Sequence, residues 1–153
     1  MKKIVLFCLM ASVATAQTKS VKLVRDDANK KVQVLVDNKP FTAYFYPGES
    51  VLKKAVLYPV YSPKGTLVTR GWPLDPRAGE RVDHPHHVGI WLNYEDANGH
   101  DFWNNSNTPP SAKGTYGTIV HTGIKSVKSG AKQGELVVTA DWLDKEGKLM
   151  LTE

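Results

Sequence analysis

Cysteine occurs once in the 153 residues, at Cys8, and no apolar run reaches the roughly 20 residues that a membrane-spanning helix requires. Sustained helical periodicity with caps is also missing. These absences exclude a multi-span membrane protein and a helix bundle. They also bear on the N-terminus, where Lys2 and Lys3 precede the apolar run Ile4 to Val13 and the small residues Ala14-Thr15-Ala16. That order is the grammar of a signal peptide over residues 1–16, cleaved before Gln17, and it predicts an exported, periplasmic or extracellular protein with no stable membrane insertion after cleavage. Cys8 leaves with the leader. The mature chain, residues 17–153, then has no disulfide, no thiol nucleophile and no thiolate ligand, so any metal must sit on His, Asp or Glu. Loss of Lys2 and Lys3 lowers the formal charge from +5 to +3, spread along the chain. Nucleic acid is excluded as a partner because phosphate recognition needs a clustered basic stripe.

What is present favours sheets. Nine Pro, 12 Gly, 6 Tyr, 4 Phe and 4 Trp suit a turn-rich β architecture, since Gly and Pro interrupt helices and aromatics suit a pleated surface. Val32, Val34 and Val36 alternate with Gln33, Leu35 and Asp37, and Asp37 to Pro40 reads as a turn into a second strand, Phe41 to Tyr46. Ala55 to Tyr61, a turn at Ser62 to Gly65 and Thr66 to Arg70 read as another hairpin. Further strands are expected at His86 to Tyr94, Gly117 to Val127, Glu135 to Leu143 and Lys148 to Thr152, the last two joined by Asp144-Lys145-Glu146-Gly147. The predicted fold is all-β, an antiparallel β-sandwich. Because Leu149 to Glu153 stops inside a strand pattern, residues 17–153 are expected to be the N-terminal portion of a larger single domain.

The segment from Gly71 to Pro110 departs from strand grammar. It gathers Trp72, Trp91, Trp103, His84, His86, His87 and His100, with Arg77 and Arg81 inside it and Arg70 at its border. Irregular loops on a rigid scaffold are where binding and catalysis concentrate. In Asp83-His84-Pro85-His86-His87, Pro85 disfavours an α conformation at His84, so an extended run is expected with His84 and His86 on one side and His87 on the other. Two such imidazoles suit a divalent metal, with a third ligand from His100, His121, Asp83 or Asp101. The same rings, left neutral and hydrogen-bonded, would simply hold a loop. A continuing strand places His87, Trp91 and Asn93 on one face and Val88, Ile90 and Leu92 on a core face. Indole, imidazole and amide together suit a sugar ring, whose C–H face stacks and whose hydroxyls pair. His86 and His87, with Asp101 as partner, are the candidate acid–base groups, because an imidazole titrates near neutral pH. Trp91, Asn93, Trp103 and Asn104 are candidate binding residues, and Arg70, Arg77 and Arg81 offer forks for an acidic group such as a uronic acid.

Pro40-Phe41-Thr42-Ala43-Tyr44, Val56-Leu57-Tyr58-Pro59, Val68-Thr69-Arg70-Gly71, Asp83-His84-Pro85-His86-His87-Val88-Gly89 with Trp91, Asn93-Tyr94, Asn98-Gly99 and Asp101-Phe102-Trp103-Asn104 together resemble the exported bacterial PmoA-like family, from about residue 20 onwards. The resemblance implies a considerably longer domain. The family's label, methane oxygenase, implies His-ligated iron or copper chemistry, whereas its sheet-rich character is similar to the supersandwich of aldose epimerases and polysaccharide-acting enzymes. Three functions are therefore expected to compete. One is a carbohydrate or other small-molecule ligand bound, and transformed, in a His/Trp/Asn/Arg cleft. Another is a metalloenzyme, hydrolytic or oxidative, with His84 and His86 as ligands. A non-catalytic binding module is the third.

Overall fold

The structure is a computed structural model that describes residues 20–153, so the predicted leader lies outside the described residues. No helix occurs among them, and the strands form two antiparallel sheets. The first has the order β1 (Val21–Asp26), β2 (Lys31–Val36), β3 (Lys39–Phe45) and β4 (Val56–Leu57). Its β2–β3 hairpin turns on Asp37 and Asn38, both at positive φ (52° and 62°), a conformation that Asx residues tolerate and that matches strand twist. The second sheet has the order β5 (Thr118–Lys128), β6 (Glu135–Leu143) and β7 (Leu149–Thr152). Its tight turn is held by Asp144, whose carboxylate accepts from the N–H groups of Glu146 (2.9 Å) and Lys148 (2.8 Å), with Gly147 at φ 84°.

The sheets touch at several points. Val21 pairs with Gly130, the N–H of Ile119 donates to the carbonyl of Lys53 (2.8 Å), and the Tyr44 hydroxyl meets His121 Nδ1 at 3.0 Å. Two apolar clusters sit beneath them. Phe102, Ile119, Ala140 and Trp142 form one, and Leu52, Val56 and Val88 form the other, with Phe45, Tyr58, Leu74 and Trp91 packed against it. Each apolar side chain withdrawn from water in this way contributes about 1.5–3 kcal/mol, offset by the entropy of ordering it.

The predicted strand at His86 to Tyr94 does not form. That stretch makes a single bridge, Ile90 with Leu57, and of its expected core face only Val88 is buried, while Ile90 (55% exposed) and Leu92 (68%) face solvent. Gly89, at φ 59°, turns the chain beside Leu57, where a Cβ would sit 2.2 Å from the Leu57 carbonyl oxygen. The predicted Ala55–Arg70 hairpin shrinks to β4 plus a bridge between Tyr61 and Leu67, because Pro59 supplies no ladder donor. Strand β1 was not anticipated, since Lys22, Arg25 and Asp26 dilute its alternation.

Candidate functional site

The histidines are gathered by a turn. His84 adopts φ 47° and its carbonyl accepts from the N–H of His87 (3.0 Å), so the chain reverses over Pro85-His86 instead of running extended. Pro85 does exclude the α conformation at His84, but the left-handed region was left open to it. Arg70 fixes the reversal. Its guanidinium donates to the Asp83 carboxylate (3.1 Å) and to the carbonyls of Asp83 (2.7 Å), His84 and His87 (3.4 Å). The alternate-side arrangement is thereby overturned, because all three imidazoles adjoin one another. Ring centroids lie 4.3 Å apart for His86 and His87, 5.1 Å for His84 and His87, and 5.7 Å for His84 and His86.

Around His87 stand two indoles, Trp91 at 5.7 Å and Trp103 at 5.8 Å, themselves 6.0 Å apart. Trp103 is 43% exposed, whereas His86 beneath is 5% exposed and its Nδ1 is buried with no protein partner. Burial, reinforced by the charges of His87, Lys54 and His84, pulls His86 down to about 4, so it is neutral at pH 7. The same burial, with the charges of His84, Arg70 and Lys54, lowers His87.

Sequence reasoning missed the cation below these rings. Lys54 is only 3% exposed. Its Nζ donates to Asn105 Oδ1 (2.8 Å) and lies 4.6 Å from the centre of the Trp91 ring. Burial pushes the Lys54 ammonium down to about 7, opposed by the charge of Asp101. A signal existed in the pattern, since Leu52, Lys54 and Val56 alternate with Lys53 and Ala55 and all three are buried, so period two already pointed Lys54 inward.

Several predicted residues do other work. Asp101 caps its own loop, accepting from the N–H groups of Trp103 (2.8 Å) and Asn104 (2.9 Å) and from the Asn104 side chain (2.8 Å). Asp101 and Asn104 therefore present Trp103 and are already occupied with each other. The forks expected to hold an acid are also engaged: Arg70 as above, Arg77 with the Thr69 carbonyl and the carboxylates of Glu80 and Asp75, and Arg81, far out in solvent, with Asp83. Asn93 Nδ2 is buried and unpartnered. His121 lies away from the cluster, its ring tilted against Tyr46 at 4.2 Å and bonded to Tyr44. Among the described residues no three His, Cys, Asp or Glu side chains are grouped so as to hold a metal ion, so the third ligand sought for His84 and His86 is not in place.

No curated protein and no solved structure matches this chain. A family model does, over residues 31–153, which takes in β2 to β7 and the whole imidazole–indole cluster: the chain belongs to DUF6807, a family of unknown function.

Proposed function

We propose that this protein is an exported carbohydrate-binding protein that engages a sugar ring on the face formed by His87, Trp91 and Trp103, with His87 as its acid–base group. The observation that carries this reading is the placement of a half-open imidazole within 6 Å of two indoles, one of them well exposed. A flat apolar ring presented to solvent suits the C–H face of a pyranose, and a ring nitrogen beside it suits a hydroxyl or a carbon-bound proton. His86 is sealed beneath and held neutral, so its part is to set the position and charge of His87. Asp101 supports the loop and does not reach the sugar.

Titration of the full chain with neutral and acidic mono- and oligosaccharides, followed by tryptophan fluorescence and calorimetry, tests the reading. Trp103→Ala and His87→Ala are each expected to weaken binding at least about tenfold, the loss of one good stacking or polar contact. Nuclear magnetic resonance in deuterated water then separates chemistry from binding, since an acid–base role for His87 predicts exchange of a sugar C–H proton that His87→Ala abolishes. Unchanged affinity in both variants overturns the proposal.

A further inference from the structure

Lys54 raises a physical problem that the sugar face leaves unsolved. Among the described residues no carboxylate lies within ion-pair reach of its ammonium, and a buried charge without a counter-ion is costly. One of its three donors is used, by Asn105. Beside it lies a cavity of about 310 Å³, near the lower size of ordinary small-molecule pockets, lined by Lys54, Asn105, Ser106, Trp72, Pro73 and Pro85 among others. Lys54 also borders a second cavity between the sheets, but Asn105, which accepts from its Nζ, does not line that one.

Three polar groups of this cavity have protons to give. The indole N–H of Trp72 and the hydroxyl of Ser106 are buried without a protein partner, and no Asp or Glu lines the space. The ammonium keeps two protons beyond the one given to Asn105, and the indole N–H and the hydroxyl proton have no acceptor in the protein, whereas buried donors are normally satisfied. We propose that this cavity is a carboxylate-binding subsite in which Lys54 is the counter-cation and Trp72 and Ser106 are the supporting donors. It adjoins the sugar face through Pro85 and through the contact of Lys54 with Trp91, so an acidic sugar spans both, its ring on the indoles and its carboxylate on Lys54. The identity of the acid as a uronic acid rests on the carbohydrate reading. The subsite itself rests only on the donor set. The arginine forks of the neighbouring loops are engaged by their own backbone and carboxylates, which leaves Lys54 to take that role.

The test is calorimetry on the full chain at pH 6.5, where Lys54 is largely charged, with glucuronate, galacturonate, glucose, galactose and acetate as probes. Uronates are expected to bind at least tenfold more tightly than the neutral sugars. Lys54→Met is expected to erase that preference. Trp72→Phe and Ser106→Ala, which keep an aromatic ring and a small side chain in place and remove one donor each, are expected to weaken uronate binding severalfold, and they keep the test alive should Lys54→Met misfold. Acetate and uronates binding alike, both lost in Lys54→Met, uphold the subsite and sink the sugar face. Neutral sugars binding as well as uronates, with all three variants unchanged, overturn the subsite and leave the sugar face standing. A folded protein that binds no carboxylate overturns the subsite outright.

Discussion

Replacing Lys54 by Met is expected to stabilise the protein in acid and to lose that advantage in alkali. The ammonium sits in the folded chain with its pKa lowered from 10.5 to about 7. Because the folded value lies below the unfolded one, the charge opposes folding. The penalty is complete below about pH 7, fades as pH rises towards 10.5, and is gone above it. At about 1.36 kcal/mol per unit, the gap corresponds to roughly 5 kcal/mol. Methionine fills a similar length of the site and carries no charge. Against the gain stand the orphaned Asn105 oxygen, about 1–3 kcal/mol, and the lost contact with the Trp91 ring, about 0.5–2 kcal/mol. The net expectation is a variant more stable by about 1–3 kcal/mol at pH 6 and equal or less stable at pH 10.5. Urea unfolding followed by tryptophan fluorescence at pH 6, 8.5 and 10.5 measures both limits. A Met variant less stable at pH 6 by the same amount as at pH 10.5 refutes the reasoning, since it would mean that the ammonium is fully compensated in the fold.

Two further outcomes follow from the same geometry. His86, with its folded value near 4 below the usual 6.5, takes up its proton later than the unfolded chain does, so stability is expected to fall from about pH 6.5 down to pH 4, by up to about 3 kcal/mol. His86→Gln should flatten that limb in acid unfolding curves, and an unaltered limb would assign it elsewhere. Gly89→Ala places a methyl 2.2 Å from the Leu57 carbonyl oxygen at φ 59°, and is expected to cost more than about 2 kcal/mol. Thermal unfolding checks this, and a melting temperature unchanged from the parent would show that the Leu57–Ile90 bridge yields without cost.

The parts of the fold that were legible in the sequence are those where one local rule acts alone. β6 matches the predicted Glu135 to Leu143, and Asp144 to Gly147 closes its hairpin, because alternation ends at an Asx–Gly turn with no competing signal. Residues 86–94 obey the same alternation on paper and yet form no strand. Their backbone course is decided by Arg70, far off in sequence, which draws three carbonyls of the histidine loop to one guanidinium, and by Gly89, which turns the chain against Leu57. Period two reports a face only when a neighbouring strand is there to define it. The site shows the same division. The convergence of His84, His86, His87, Trp91 and Trp103 was readable from their density in one loop, whereas the fate of Asp101 and the arginines depended on partners that a sequence does not specify. Lys54 was hidden by its residue type, since lysine is assigned to the surface by default even where the pattern turns it inward.

A different regularity explains why the two proposed subsites meet where they do. Among the described residues eight buried side-chain polar atoms have no hydrogen-bond partner, and seven of them belong to residues from Trp72 to Ser106, the segment held by loops and single bridges and not by ladders. The left-handed His84 and the uncompensated Lys54 belong to the same region. A chain selected for stability alone would fill such positions with apolar residues, as in the cluster of Phe102, Ile119, Ala140 and Trp142. Local rules broken together in one place, on a scaffold that obeys them elsewhere, mark the place where stability is given up for binding. It follows that a ligand satisfying these groups must stabilise the fold, by RT ln(1 + [L]/Kd), or about 2.7 kcal/mol at a concentration one hundred times Kd. The same compound must lose that effect in Lys54→Met, even though the variant on its own is the more stable protein in acid.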